Sequence, residues 1–258
     1  MTEQEFYQYI KQENYKMIQQ YRVDNAVILA AGFASRFAPL SYTTPKALLN
    51  VRGEVLIERQ IRQLLEAGIP EIFVVTGYKS EMFAYLENKF GVHLIQNHEY
   101  QIRNNHSSIY AAREVLGNSY ICSADNYFTV NPFEKYILRP YYSALYAEGE
   151  TEEYCLTEDE SGRITGVHIG GSDAWYMLGH VYWNRTFSKR FLEILESEYD
   201  FPQTRDLLWE KIYMKHLDEL ALYIRKYPDG VIYEFDSLDD LCKFDPAYET
   251  VRESLLHT

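Results

Sequence analysis

Nowhere in the chain do apolar residues run to the ~20 that a helix needs to cross a bilayer, and residues 1–22 are too polar to supply the apolar segment of a signal peptide. Membrane insertion is not expected, and a cytoplasmic location is. Basic character is also short: 25 Lys and Arg stand against 38 Asp and Glu, a formal charge of −13, with no block of consecutive cations. The positive footprint of a nucleic-acid or anionic-membrane binder is therefore missing, and an anionic substrate must be met by a few local cations. Cysteine is scarce, and Cys122, Cys155 and Cys242 are too far apart for a zinc site or a disulfide framework. They read as small buried hydrophobes. The seven His show no ligand spacing, and neither the P-loop pattern G-x-x-x-x-G-K-[ST] nor the dinucleotide pattern G-x-G-x-x-G occurs.

What is present begins with aromatics, 24 Tyr among them, which composition alone allows to be either pocket lining or core. Residues 2–21 predict one helix, because Thr2 and Glu5 have capping-box spacing and Phe6, Ile10, Met17 and Tyr21 recur at helical intervals. Residues 1–23 are thus expected as a helical extension ahead of a single domain over 24–258. From Asn25 onward, short apolar runs alternate with amphipathic stretches: strands are predicted at 26–30, 72–76, 92–96 and 120–124, and helices at 56–67, 81–90 and 107–116. That alternation predicts an α/β fold with a mostly parallel sheet covered on both faces. Further strands are predicted at 141–147, 153–158, 163–169, 175–183 and 231–235, and helices around 189–198, 204–216 and 238–244, which makes the sheet mixed.

The most informative segment, LAAGFASRFAPLSYTTPKALLNVRG at residues 29–53, follows the first strand. Ligands of open α/β sheets bind at the carboxyl ends of strands, where small residues let the backbone approach closely. Ala30, Ala31 and Gly32 can therefore present N–H groups to a nucleotide, while Arg36 and Lys46 supply the cations, one spread over several donors and one compact. Pro45 biases Thr44 to an extended conformation that returns the chain toward the sheet.

The order L-A-A-G-x-x-S-R-F, P-L, T-P-K-A-L resembles the signature of the nucleotidyltransferases that make NDP-sugars and CDP-alcohols. The blocks GYKSEMFAYLENKFGVHLIQNHEY, NNHSSIYAAREVL, NSYICSADNYF and IYEFDSLDDL resemble the bacterial CTP:phosphocholine cytidylyltransferase-like family, which includes enzymes acting on 2-aminoethylphosphonate. The resemblance spans roughly residues 25–245. It implies a Rossmann-like nucleotidyltransferase fold with an inserted acceptor-binding portion, CTP and a small phosphorylated or phosphonate acceptor as substrates, and release of pyrophosphate. Charge on the α-phosphoryl oxygens then calls for Mg²⁺ and cationic side chains, so Lys46 and Arg36 are assigned as charge-stabilising catalytic residues. Asp125 and Asp236, each at the end of a predicted strand, are assigned as the metal ligands. The family's frequent D-x-D pair has Ser123 in its first place here.

The resemblance puts the nucleoside near Ala30, Ala31 and Gly32, Tyr78, Asn105 and Ser108. Acceptor candidates are the aromatics Tyr154, Trp175 and Tyr182 with Asp206 as counter-charge, together with His106 and Ser107, which replace the aromatics of the phosphocholine enzymes by hydrogen-bonding residues. Phosphocholine and 2-aminoethylphosphonate both remain open as acceptors. A sugar-1-phosphate nucleotidyltransferase and a catalytically silent nucleotide-binding module are the competing readings, and a homodimer or a fusion to a further enzymatic domain is a possible assembly.

Overall fold

The computed structural model describes residues 1–256. Helix α1 (Glu3–Lys11) opens the chain, followed by β1 (Asn25–Ala30), the short strands β2 (Asn50–Val51) and β3 (Glu54–Val55), α2 (Leu56–Glu66), β4 (Glu71–Thr76), α3 (Tyr85–Phe90), β5 (His93–Gln96), α4 (His106–Ala111), β6 (Ser119–Ser123) and β7 (Asn126–Phe128). Two long strands follow, β8 (Tyr141–Glu158) and β9 (Ile164–Trp183), then α5 (Arg185–Glu198), α6 (Trp209–Lys215), β10 (Tyr223–Lys226), β11 (Ile232–Glu234), α7 (Leu238–Phe244) and α8 (Ala247–Leu256). No described helix is long and apolar enough to cross a membrane.

A seven-stranded sheet in the order β10-β8-β9-β6-β1-β4-β5 forms the middle layer. Strand β1 pairs parallel with β4 and β6, β4 pairs parallel with β5, and β9 runs antiparallel to both β6 and β8. The unbroken apolar reading of β1 follows from burial on both faces. Ala26 and Ile28 pack with Ile57, Ile61 and Leu64 of α2, whereas Val27 packs on the opposite side with Ile109, Phe191 and Ile212. The carboxyl ends of the parallel strands are thereby fixed between two helical layers.

The expected helix over 2–21 is broken: α1 carries the capping box, but Glu13 turns left-handed at φ 53° and the chain resumes as a 3₁₀ segment, Tyr15–Tyr21. The expected helix at 204–216 is confined to α6 after a 3₁₀ turn at Pro202–Thr204, and those at 81–90 and 107–116 each contain a 3₁₀ turn. The four strands expected between 141 and 183 are two long bent ones. Cys155 pairs with both His168 and Tyr176, so the β8–β9 hairpin folds back on itself, and bulges absorb the bend. In one of them Glu152 and Glu153 face the single residue Gly170, between the Thr151–Gly171 and Tyr154–Ile169 pairs. The folded-back end is anchored on the strand that sequence patterning missed, β10, through Ile224 N–H to Gly162 O at 2.9 Å. The YIRK sequence of β10 is charged, as suits an edge strand.

Gly77 follows β4, and a Cβ built on it would lie 2.7 Å from Tyr100 Cγ and 2.9 Å from the Ala31 carbonyl oxygen. Gly77→Ala should therefore cost about 1–3 kcal/mol and lower the melting temperature, since the obstructing oxygen is backbone. An unchanged thermal melt would show that the two loops have room to separate.

Candidate active site

The loop after β1 winds through three 3₁₀ turns, Ser35–Phe37, Leu40–Tyr42 and Lys46–Leu48. Among the described residues, no acceptor meets the N–H groups of Gly32 and Phe33. Ala34 is left-handed at φ 52°, the local geometry that turns successive N–H groups toward an anion. The loop is pinned from the β4 side: Tyr78 N–H donates to Ala31 O at 3.0 Å, Tyr78 OH to Ser41 O at 3.0 Å, and Lys79 Nζ to Thr43 O at 3.1 Å. Phe33 lies edge-on to Tyr78 at 4.7 Å. Tyr78, expected at the nucleoside, is thus placed as a clasp on the loop, with its hydroxyl spent on backbone.

The two acids chosen from sequence meet, joined by a third. Carboxylate oxygens of Asp125, Glu234 and Asp236 all lie within 4.8 Å of one another. The two strand ends do not belong to one sheet, because β11 lies outside the main sheet and pairs antiparallel with β7 in a separate two-stranded ribbon. Since β7 begins just beyond Asp125, that ribbon carries Glu234 and Asp236 back to the end of β6. The backbone leading into Asp125 is fixed at Ala124, whose N–H donates to Leu29 O at 3.2 Å, and at Ser123, whose carbonyl accepts from Gln60 Nε2 at 3.1 Å. Burial, reinforced by Asp125 and then Asp236, holds the Glu234 carboxyl well above its ordinary range.

Each of the two outer acids carries a cation from the loop. Lys46 Nζ lies 2.9 Å from Asp125 Oδ2, with side chains 12% and 24% exposed, and Arg36 Nη2 lies 2.8 Å from Asp236 Oδ1 at a wetter position. Asp125 Oδ1 is buried without a partner among the described residues. Three hard oxygen donors, one holding an unused lone pair, suit a divalent cation such as Mg²⁺ better than a thiophilic metal.

Beside this cluster opens a cavity of about 480 Å³. Its walls include Ala31 and Gly32 from the loop, Ser107 and Ser108 from α4, and Asn105 just before it, whereas Ala30 borders the adjoining pocket with Arg36 and Lys46. Asn97 organises the serines, with Nδ2 donating to Ser107 Oγ at 2.9 Å and to Ser108 Oγ at 3.1 Å. Asn105 accepts from Trp209 N–H at 2.7 Å and donates to Glu210 Oε2 at 3.3 Å. The cavity is further lined by Tyr142, Glu153, Tyr154 and Glu210.

Of the residues expected around the acceptor, Tyr154 and Ser107 line the cavity and the others do not. Tyr182 is core, 1% exposed and packed on Tyr120 and Tyr141, because its β9 position faces inward from the sheet. Trp175 stands away from the cavity, against Tyr146 at 5.3 Å and beneath Lys226 Nζ at 5.2 Å. Asp206 is exposed outside the cavity, its carbonyl accepting from Asn104 Nδ2 at 3.1 Å. His106 is fully buried and neutral: burial lowers its pKa, and its Nδ1–H donates to Leu207 O at 2.7 Å.

Glu153, Glu210 and Glu234 were not anticipated from sequence. Glu234 had a usable signal, since alternation along a strand puts it on the same side as Asp236. Glu153, at the start of a predicted strand, sits in the bulge and lines the cavity while remaining exposed. Glu210 accepts from Tyr142 OH at 3.4 Å, and burial pushes its pKa up from 4.5 to about 7. In the unfolded chain this carboxyl ionises near 4.5, so the folded state binds the extra proton between 4.5 and 7 and loses stability as pH rises across that window. Glu210→Gln should accordingly melt higher than the parent at pH 8, by on the order of 1–3 kcal/mol, and equal it near pH 4.5. Equal melting at both pH values would show the carboxylate to be well solvated.

A family model described as the MobA-like NTP transferase domain matches residues 26–151. The choline-phosphate cytidylyltransferase of Streptococcus pneumoniae is 34% identical over 220 residues, 85% of this chain and 96% of that protein. The 2-aminoethylphosphonate cytidylyltransferase of Lancefieldella rimae is 38% identical over 230 residues, 87% of this chain and 93% of that protein. The solved structure of the CTP:phosphocholine cytidylyltransferase from Streptococcus pneumoniae matches with a TM-score of 0.83 at 34% identity, over 88% of this chain and 99% of that one. The inositol-1-phosphate CTP transferase from T. maritima, at TM-score 0.68 and 17% identity over 88% of this chain and 94% of that one, shares the fold.

Proposed function

We propose, for a chain that belongs to the CTP:phosphocholine cytidylyltransferase-like family of nucleotidyltransferases, transfer of CMP from CTP to a small aminoalkyl phosphonate or phosphate whose amine is primary. The observation that carries this reading is the cavity itself, in which three clustered carboxylates and the cations Arg36 and Lys46 adjoin a wall bearing two further carboxylates, Glu153 and Glu210.

An ionised phosphonate oxygen of the acceptor attacks the α-phosphorus of CTP, a new P–O bond forms, and the bond to the β-phosphoryl group breaks to release pyrophosphate. Since a phosphate second pKa is about 6, the nucleophile is already ionised near neutral pH and no general base is needed. The residues then act by alignment and charge. Lys46 and Arg36 neutralise the non-bridging and leaving oxygens, and the free N–H groups of Gly32 and Phe33 are further donors to the triphosphate. Mg²⁺ held by Asp125, Glu234 and Asp236 would supply Lewis-acid charge neutralisation at the phosphates. Nucleoside selection is assigned to the wall of Asn105, Ser107 and Ser108.

The side chains that line the rest of the cavity support a primary amine. A quaternary ammonium is best held by a box of aromatic faces. With Tyr182 in the core and Trp175 outside the cavity, Tyr142 and Tyr154 stand there beside Glu153 and Glu210. Two carboxylates offer directed acceptors as well as charge, which suits an N–H-bearing cation such as that of 2-aminoethylphosphonate.

A pyrophosphate-release assay crossing four nucleoside triphosphates with phosphocholine, phosphoethanolamine, 2-aminoethylphosphonate and sugar phosphates tests both halves of the reading. The expected result is turnover with CTP, greatest with 2-aminoethylphosphonate; preference for phosphocholine would sink the head-group assignment, and activity only with sugar phosphates the function. Lys46→Met should lower kcat/KM by about 10²–10³.

Because Glu210 must be ionised to pair with an ammonium, the acceptor KM should fall as pH rises from 6 to 8, and Glu210→Gln should remove that dependence. A parent KM that does not change over this range would dissociate Glu210 from the acceptor.

A further inference from the structure

We propose that Asn126 is a positioning residue for the divalent cation assigned to Asp125, Glu234 and Asp236, its amide completing the hydrogen-bonded shell around that ion. Asn126 is the first residue of β7, adjacent in sequence to Asp125 and directly opposite Glu234 in the antiparallel ribbon. Residues so paired project from the same face with Cβ atoms about 4.5–5.5 Å apart, so the amide is set beside the Glu234 carboxylate. The side chain is 2% exposed, and neither Oδ1 nor Nδ2 has a hydrogen-bond partner among the described residues.

That combination is costly, and it needs a cause. A buried polar group without a partner forfeits about 1–3 kcal/mol, and an amide has both a donor and an acceptor to satisfy. An Asn kept for a turn or a cap would show the bond it makes, as Asn131 and Asn184 do on the N–H groups of Phe133 and Phe187. Asp125, whose Oδ1 is likewise orphaned, directly precedes Asn126, and Glu234 stands opposite it in the ribbon, so two members of the acidic cluster are its neighbours in sequence and in register. Its chemistry matches that place: Nδ2–H can donate to a carboxylate drawn onto a cation, and Oδ1 can accept from water bound to it. Asn126 borders neither active-site pocket, so it acts through the carboxylates rather than on the substrates.

The inference rests on the proposed cation, and the test separates the two. Mn²⁺ is titrated calorimetrically into the acceptor-free parent and into Asn126→Leu, which keeps the volume and removes the amide, and both are melted in EDTA. Expected are Mn²⁺ binding weakened about 10–100-fold in N126L and a melting temperature in EDTA equal to or above that of the parent. Mn²⁺ affinity within twofold of the parent overturns the proposal, as does an N126L protein that melts well below the parent in EDTA while keeping its Mn²⁺ affinity. If N126L does not fold, N126S is titrated in its place, and undiminished Mn²⁺ affinity again overturns the proposal. A parent that binds CTP but no Mn²⁺ strikes at the cation itself and not at Asn126.

Discussion

Mutual repulsion among Asp125, Glu234 and Asp236 is the constraint around which this site is arranged. Two unit charges 4 Å apart repel by about 4 kcal/mol at the effective dielectric of a protein surface, so three carboxylates within 4.8 Å cannot stand charged and unaccompanied. The fold answers with Lys46 on Asp125 and Arg36 on Asp236, and by leaving Glu234 biased toward its protonated form. Both cations come from the loop after β1, and the acids come from the ends of β6 and β11. The position of the loop is therefore coupled to the ribbon of β7 and β11 through charge as well as through packing. Tyr78 and Lys79 hold the same loop from its other side, so it is clamped between two neighbours before any triphosphate arrives.

The nucleotide half of this arrangement is legible in the amino-acid sequence because it is local. Strand β1, the loop, and the cations Arg36 and Lys46 lie within 25 consecutive residues, and parallel-sheet topology then dictates that the loop opens at a carboxyl edge. Asp125 and Asp236 are readable for the same reason, as acids at the ends of apolar runs. Glu234 was readable in principle from strand alternation. The acceptor half is not local. Whether a β9 aromatic faces the core, as Tyr182 does, or stands outside the cavity, as Trp175 does, depends on where a 20-residue strand bends, and that is set by bulges rather than by residue type. Glu153, in such a bulge, borders the cavity while staying exposed. Glu210 enters because Asn105, a hundred residues earlier, takes hold of the start of α6.

Stability and chemistry pull against each other along the proposed acceptor wall. Burial of Glu210 costs folding energy at the pH where the proposed reaction needs its charge, and the unpartnered amide of Asn126 does the same at the cation site. Such groups are retained where a ligand supplies the missing partner, and the protein is stabilised by its substrates in proportion. The apolar layers on either side of β1 provide the surplus that tolerates them.

The folded-back hairpin of β8 and β9 is held at both ends, by β6 within the sheet and by β10 at its far turn. A wall tethered twice behaves as a buttress rather than a door. The hairpin's Tyr142, Glu153 and Tyr154 line the cavity from a part of the chain that carries neither Arg36 nor Lys46, so they can be exchanged without replacing either cation. Divergence of acceptor taste within a common nucleotide chemistry is the natural outcome of such an architecture, and relatives that resemble this chain to a similar degree while carrying different acceptors in their names are what it would leave behind.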